Sequence, residues 1–318
     1  MEKKGFLVII LIILVSSFLF ATGNKEEKKQ FITIKTSNIG GTTYAGGAAW
    51  AKLITDNSKF IATNVASPGG NLDTFSAMVD GEAHLALLAA TGTYNAYIGK
   101  LEGYPNRIEV RALFGIWPGV YNIIVHEKSG VKDIYGLKGK NIATYVQGDP
   151  NGEVFDDLLA IHGITPQNTK IHKIMKNDAT RMFVDENADC LIYAFGHGHS
   201  NLREMTASKK IKFIFGDFKH IDPWLKKYPF FSYETFGSEF GVEDNNQFVS
   251  PYFTVCMASM PEEQAYLFTK VWYENWDFLL DAMPANIQWI NKENPMLGVP
   301  IPIHPGAEKY FKEIGLLK

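Results

Sequence analysis

The chain has 318 residues, a formal net charge of −3 and 46% hydrophobic residues. This mild acidity argues against a nucleic-acid-binding protein or one that binds an anionic membrane surface. The apolar content excludes general disorder, and the length is sufficient for two domains. The two cysteines, Cys190 and Cys256, lie in apolar runs. This placement favours buried free thiols, although one disulfide is possible in an exported protein.

The first residues resemble a secretory signal. Two lysines precede an almost unbroken apolar run at residues 6–20, and small residues follow it. We therefore predict a signal peptide over residues 1–21, with cleavage after Ala21 or Gly23, and a charged flexible tether over residues 22–30. An uncleaved N-terminal membrane anchor is the alternative. The protein is expected to be periplasmic or otherwise extracytoplasmic.

Two glycine-rich loops come early in the chain. Residues 40–47 join a predicted strand at 31–36 to a helix that continues through 48–54, and residues 67–73 join a strand at 61–65 to a helix at 74–79. A glycine turn followed by a helix N-terminus presents free backbone N–H groups and a positive dipole end, which favour an anion. We predict that the two loops form one site. The alternative is that these glycines only allow tight turns.

Strands and helices then alternate. We predict a strand at 85–90 that ends at Thr91, a helix at 94–98, and two strands at 111–116 and 121–126, interrupted by Trp117-Pro118-Gly119. The chain is expected to cross to a second domain here. A similar unit follows, with its own glycine-bearing loop at 147–152 between a strand at 141–146 and a helix at 153–162. Such alternation is typical of parallel sheets covered by helices.

The second unit continues with a strand at 170–174, a helix at 179–185 and a strand at 188–195, before a less regular stretch at 216–250. A strand at 253–258 is predicted to return to the first domain, followed by a helix from Pro261 and a final helix at 304–315. We therefore expect residues 31–125 to form the first part of lobe I, residues 126–250 to form lobe II, and residues 251–318 to complete lobe I.

The candidate ligand-binding residues lie on the glycine loops and at the ends of predicted strands. They are Gly41, Thr42, Thr43, Tyr44, Gly69, Gly70, Asn71, Thr91, Asp149, Asn151, Gly152, Phe195 and His197. Fixed backbone N–H groups and hydroxyls suit a carboxylate without requiring a charged side chain.

Other chemistries have weak support in the sequence. His197-Gly198-His199 lacks the spacing and the further ligands of a metal site. The pair Asp156-Asp157 is explained by the dipole at a helix start. There is no nucleophile with its base and no P-loop. We predict a protein that is not an enzyme and that uses no metal and no cofactor.

The ordered motifs resemble the TAXI family, the solute receptors of TRAP-type secondary transporters. The resemblance covers nearly the whole predicted mature chain. The segments that carry it are Gly40-Gly41-Thr42-Thr43-Tyr44-Ala45-Gly46, Pro68-Gly69-Gly70-Asn71, Asp80-Gly81-Glu82, Ser129-Gly130-Val131-Lys132, Leu137-Lys138-Gly139-Lys140 and residues 300–310. Two stretches depart from the family pattern, Ala89-Ala90-Thr91 and the loop at 148–152, so the ligand's identity does not carry over.

The resemblance implies a two-lobed type II periplasmic-binding-protein clamshell, in which each lobe is a mixed, mostly parallel sheet flanked by helices. It implies a receptor that captures a small organic anion, a carboxylate or an amino acid such as glutamate, and delivers it to the TRAP permease. A receptor that signals ligand occupancy to a membrane partner is the alternative. We expect a monomer that binds no nucleic acid.

Overall fold

The computed structural model describes residues 29–36, 42–66, 71–104, 106–284 and 286–318. The strands are β1 (Gln30–Lys35), β2 (Ile61–Ala66), β3 (Leu85–Ala89), β4 (Val110–His126), β5 (Asn141–Thr144), β6 (Lys170–Lys173), β7 (Cys190–Ala194), β8 (Ile211–Ile214), β9 (Ser232–Phe236) and β10 (Asn245–Met257). The helices are α1 (Thr42–Asp56), α2 (Asn71–Val79), α3 (Ala90–Tyr97), α4 (Pro150–Ile161), α5 (Lys176–Val184), α6 (Ser200–Ser208), α7 (Phe218–Lys227), α8 (Glu262–Glu274), α9 (Trp276–Ala282) and α10 (Pro305–Glu313). The predicted signal peptide lies outside the described residues.

The strands form two parallel groups joined by two long antiparallel strands. The sheet order is β2-β1-β3-β10-β4-β7-β5-β6, with β8 beside β4 and β9 beside β10. Strands β1 to β3 pair in parallel, as do β5 to β7, and helices connect successive members of each group. We call the β1–β3 group with its helices and the C-terminal helices lobe I, and the β5–β9 part lobe II. This is the expected mixed α/β fold with a helix-flanked sheet.

Strand β4 corrects one prediction. The sequence predicted a break at Trp117-Pro118-Gly119, but β4 runs unbroken through it. Strand β10 pairs with it there, placing Ser250 opposite Gly119 and Pro251 opposite Pro118, and the register shifts just beyond this point. Because the two prolines lie opposite each other, both missing N–H donors fall at one position of the pairing, and β4 continues on either side of it. The crossing between lobes is therefore made by continuous strands.

Helices α1, α3 and α4 begin earlier in the chain than the sequence predicted. Helix α1 begins at Thr42 and α3 begins at Ala90, so Thr42, Thr43, Tyr44 and Thr91 lie in first helical turns rather than in loops. Helix α4 begins at Pro150, with Asp149 as its N-cap. Small residues and proline permit these early starts, since the first turn needs no intrahelical N–H bonds.

Each lobe has an apolar core. In lobe I, the buried Trp50 packs edge-on against Phe114, Phe268 and Trp272, and its indole Nε1 donates to Phe268 O at 2.9 Å. In lobe II, Phe155 and Trp224 are among the buried aromatic residues.

The two cysteines, Cys190 and Cys256, are buried in different strands and unpaired. Burial raises the pKa of both thiols. They are therefore unreactive core residues. No helix among the described residues has the length and apolar character needed to cross a membrane.

Candidate ligand site between the lobes

A cluster of tyrosines lies where the two lobes meet. Tyr121 comes from β4, Tyr252 from β10 and Tyr145 from the end of β5. Gly119 lets Tyr252 approach β4, since a Cβ at position 119 would lie 2.4 Å from Tyr252 Cε2. Tyr121 and Tyr252 interact electrostatically with each other and with Asp149. We call Thr91, Tyr121, Tyr145, Asp149, Asn151 and Tyr252 the cleft cluster.

The lobes are in contact around this cluster. Helix α3 of lobe I touches α4 of lobe II. A Cβ at Gly148, just before the α4 N-cap, would lie 2.8 Å from Glu102 Oε2, so the Glu102 side chain rests against lobe II. The N-termini of α3 and α4 follow β3 and β5, and both border the cluster. The ends of these two strands therefore face one another, as at the ligand cleft of a two-lobed binding fold.

Four buried polar atoms of the cluster lack a well-formed hydrogen bond within the described part of the chain: Thr91 Oγ1, Tyr121 OH, Tyr145 OH and Asn151 Oδ1. Tyr121 OH interacts with the Thr91 and Tyr252 hydroxyls, but without the geometry of a full hydrogen bond. Leaving a buried polar group unpaired costs about 1–3 kcal/mol. Four such atoms in one place indicate that their hydrogen-bond partners belong to a bound molecule.

The tyrosine hydroxyls are available as donors. Burial raises the pKa of Tyr121 and of Tyr145 well above the usual value, and desolvation raises the pKa of Tyr252 to about 12. The phenols therefore stay protonated at neutral pH. Each neutral phenol can donate one hydrogen bond and accept others.

Asp149 and Asn151 form the α4 N-cap. Asp149 Oδ1 accepts from the backbone N of Asn151 at 2.8 Å and from its Nδ2 at 3.1 Å. Burial raises the pKa of Asp149, although hydrogen bonds from Asn151 and Gly152 oppose that rise. The cap fixes the Asn151 amide, whose Oδ1 is left as a free acceptor. Gly152 packs closely under this turn, because a Cβ there would lie 3.0 Å from Tyr145 Cβ.

Asn71 lies beside the cluster on the lobe I side. A Cβ at Gly92 would lie within 2.8–2.9 Å of all three outer atoms of the Asn71 amide, so this amide rests on the first turn of α3 next to Thr91. The structure thus places Asn71, Thr91, Asp149 and Asn151 near one another, and their part in ligand binding stays a prediction.

Of the other predicted residues on the two glycine-rich loops, three lie at the start of α1 and three lie outside the described residues. Thr42 and Tyr44 are partly exposed and Thr43 is buried, all at the start of α1. Gly41, Gly69 and Gly70 lie outside the described residues. Their part in binding stays a prediction.

Phe195 is fully buried, with its backbone N bonded to Val120 O at 2.9 Å and to Asn122 Oδ1 at 3.1 Å. Lys176 lies above its ring, 4.3 Å from the ring centroid. Lys176 Nζ donates to Ala194 O at 2.6 Å and lies 3.2 Å from His199 Nε2. Phe195 therefore belongs to a packed group around a desolvated lysine.

His197 already has two partners. Its Nδ1 lies 2.7 Å from Glu239 Oε1 and its Nε2 lies 2.8 Å from Glu234 Oε1. Both ring nitrogens are therefore occupied by carboxylates of lobe II. The neighbouring His199 Nδ1 accepts from Asn201 N and caps α6. Within the described ranges, no group of three or more His, Cys, Asp or Glu residues is placed to hold a metal ion.

Sequence reasoning missed the tyrosines of the cluster. Tyr121, Tyr145 and Tyr252 are far apart in the chain and each looks like an ordinary strand residue. One signal was available: Tyr145 follows β5 directly and precedes the glycine loop, and residues at the carboxyl ends of parallel strands commonly line a site.

A comparison with protein families identifies the family of this chain. The chain matches the NMT1-like family over residues 34–315. It belongs to the NMT1-like family. The match spans both lobes and every described member of the cleft cluster.

Solved structures agree on the fold of this NMT1-like protein. PhnD1 from Prochlorococcus marinus, solved with methylphosphonate, superposes with a TM-score of 0.57 at 8% identity, covering 90% of this chain and 99% of that one. A binding-protein component of an ABC phosphonate transporter from Pseudomonas aeruginosa gives 0.54 at 8% identity, covering 83% and 80%. A structure from work on glutathione import through GshT in Streptococcus mutans gives 0.51 at 12% identity, covering 81% and 97%. The shared feature is the two-lobed binding-protein fold.

Proposed function

We propose that this protein is an extracytoplasmic solute-binding receptor that captures a small organic anion between its lobes. The observation that carries the proposal is the set of four buried polar atoms in the cleft cluster that lack a well-formed hydrogen bond within the described part of the chain. Three are hydroxyls that can donate to the oxygens of an anion, and Asn151 Oδ1 is an acceptor. A carboxylate that also bears an N–H donor, as in an amino acid, would satisfy all four.

The ligand class also has indirect support. Neutral hydroxyl and amide groups bind oxyanions through directed hydrogen bonds rather than a salt bridge. One structurally similar protein is a component of a phosphonate transporter and another was solved with methylphosphonate, and phosphonates present the same kind of oxygen. We infer that the backbone N–H groups near Gly41, Gly69 and Gly70 complete the site, together with Thr42, Thr43, Tyr44 and Asn71.

The partner is inferred from the motifs. The TAXI-like segments, of which residues 300–310 are the longest, favour a TRAP-type permease driven by an ion gradient. We further propose that lobe I comprises residues 31–125 and 251–318 and lobe II residues 126–250, with the hinge in β4 and β10. A signal peptide over residues 1–21 would export the receptor.

Ligand binding tests the receptor proposal. The protein is purified from the periplasm of an expression host, unfolded and refolded to release any bound solute, and heated with amino acids, dicarboxylates, keto acids, alkylphosphonates and sugars. A ligand that binds only the folded state raises the melting temperature. A shift with an organic anion and none with sugars supports the proposal. A response to neutral sugars alone would overturn the anion assignment.

A tyrosine pair supplies the matched control. Tyr121→Phe removes one hydroxyl of the cleft cluster that lacks a well-formed hydrogen bond and should weaken binding about tenfold, the value of one hydrogen bond to a charged group. Tyr273→Phe removes another buried, unpartnered hydroxyl, which lies in the lobe I core. It should leave binding unchanged. Equal losses in both variants would contradict this site.

Transport tests the partner. A candidate TRAP permease is reconstituted in vesicles with the loaded receptor. Uptake that requires an ion gradient and no ATP supports TRAP delivery. Uptake that requires ATP, with an ABC transporter as partner, would overturn that part while leaving the binding site intact.

A further inference from the structure

A second cavity lies beside the crossing strands. It has a volume of about 430 Å³ and is lined by β4, by β10, by the start of β9 with the segment before it, and by the segment between α9 and α10. None of the cleft cluster residues lines it. Its size is that of a small-molecule site.

The cavity has aromatic walls from both lobes. Trp289 and Leu297 come from the C-terminal part of lobe I, and Phe230 and Tyr233 come from lobe II. Trp289 is 39% exposed and Tyr233 is 43% exposed. One face of the Trp289 indole is covered by His197, with ring centroids 3.5 Å apart and planes 11° apart. An occupant would therefore touch both lobes at once.

One polar group in the cavity has no partner. Ser250 lines the cavity from β10, is 1% exposed, and its Oγ forms no hydrogen bond with any part of the chain that the structure describes. A buried hydroxyl of this kind costs about 1–3 kcal/mol unless something pairs with it. The cavity thus has the mark of a ligand site, namely an apolar enclosure with a placed polar atom.

The charged residues that line the cavity indicate which ligands it can bind. Among the described residues that line it, Glu234 alone carries a charge, and no lysine, arginine or histidine is among them. Glu234 shares His197 with Glu239, so two carboxylates surround one imidazole and the group stays net negative even when the ring is protonated. Carboxylates and aromatic faces attract a cation and repel an anion.

We propose that this hinge cavity is a second ligand site, which binds a small organic ammonium ion with an apolar body. The ammonium group lies toward Glu234 and the aromatic faces of Tyr233 and Trp289, and Ser250 Oγ accepts one N–H. Since the ligand touches both lobes, its binding favours the lobe arrangement that contains this cavity. The cavity shares no lining residue with the cleft cluster.

Three probes of equal shape test the charge preference. Benzylamine, benzyl alcohol and benzoate share one ring and carry positive, zero and negative charge at neutral pH. Binding is measured by ligand-observed NMR up to about 10 mM, which covers the affinity that a fragment of this size can reach. Benzylamine should bind at least about fivefold more tightly than benzyl alcohol, and benzoate should not bind. Absence of benzylamine binding, or equal binding of benzoate, overturns the proposal.

Two glutamate variants locate the site. Glu234→Gln should reduce benzylamine binding to that of benzyl alcohol, whereas Glu239→Gln, which also contacts His197 but does not line the cavity, should cause a clearly smaller loss. Equal losses in both would show an effect through His197 and would overturn the assignment. Ser250→Ala should weaken benzylamine binding about threefold. Tyr121→Phe should not change it, which separates this site from the cleft.

Discussion

The imidazole of His197 stacks on the indole of Trp289 with ring centroids 3.5 Å apart and planes 11° apart. His197 belongs to the loop after β7 in lobe II, and Trp289 to the segment after α9 in lobe I. Glu234 and Glu239 hold the imidazole from its two nitrogens. A cationic ring on an indole face gains about 0.5–2 kcal/mol. This stack joins the lobes outside the ligand cleft.

The stack predicts a pH dependence of stability. Burial opposes the charged form of His197, but the hydrogen bonds and charges of Glu234 and Glu239 outweigh it and raise the pKa. Since the folded pKa lies above the unfolded value of about 6.5, the stabilisation is fully present below about pH 6.5 and is lost as pH rises through the folded pKa.

We expect His197→Gln to lower the free energy of unfolding at about pH 6 by about 1–3 kcal/mol, and by less at alkaline pH. Urea unfolding between about pH 5.5 and about pH 9 measures this. A loss of equal size at every pH would contradict a charged His197.

Lys176 should show the opposite behaviour. Its ammonium meets Ala194 O and His199, and burial lowers its pKa to about 8. Burial, followed by the charge of Lys176, lowers the pKa of His199 to about 3, so this histidine stays neutral. Because the unfolded lysine keeps its proton up to about pH 10.4, the unfolded chain holds more protons between these values. Stability from this group should therefore increase as pH rises from about 8 toward about 10.

Lys176→Met tests this by replacing the ammonium with an apolar chain of similar length. We expect the free energy of unfolding of the variant to be about 1–2 kcal/mol higher at neutral pH. The increase in stability above about pH 8 should be lost. A lower free energy of unfolding in the variant would show that the hydrogen bonds of Lys176 outweigh its desolvation. An unchanged dependence of stability on pH above about 8 would show that another group titrates there.

Gly92 controls the position of Asn71. An added Cβ would lie 2.8 Å from Asn71 Cγ, so Gly92→Ala must displace that amide from the edge of the cleft cluster. Since alanine favours the helix by about 1 kcal/mol, the fold should tolerate the change. We expect about tenfold weaker ligand binding with a nearly unchanged melting temperature. Gly196→Ala, whose Cβ would meet nothing closer than 3.8 Å, is the control and should bind normally.

The fold was largely predictable because local patterns determine it. Alternating apolar strands and helices indicated the α/β class, and a helix follows β2 and β5 as predicted, although each helix begins a few residues early. The sequence misled at Pro118-Gly119, where a local break signal was overridden by pairing with Pro251 on a distant strand. Pairing partners cannot be inferred from a short window, so strand length there could not be predicted.

The site was predictable only in part for the same reason. Thr91 and Asp149 could be found because each follows its own strand end. Tyr121 and Tyr252 meet only because β4 and β10 cross, and Gly119 lets their rings approach. Nothing within either strand indicates that contact.

Gly306 lets helix α10 approach the backbone of helix α8 closely. A Cβ there would lie 2.1 Å from Glu262 O and 2.8 Å from Tyr266 N, which are backbone atoms of α8. Backbone cannot rotate away as a side chain can, so Gly306→Ala must push α10 off α8. His304 would also be disturbed, since its Nδ1 accepts from Gly306 N at 3.1 Å. We expect a loss of about 2–4 kcal/mol in the free energy of unfolding, measured by urea titration.

Gly163→Ala separates this clash from backbone strain. Gly163 has a φ of 75°, but a Cβ added there would meet nothing within 4 Å, so alanine at this position meets strain without overlap. It should cost about 1 kcal/mol. An equal or smaller loss in the free energy of unfolding for Gly306→Ala than for Gly163→Ala would contradict the close approach of α10 to α8. Steric overlap with backbone must cost more than the strain of a single left-handed residue.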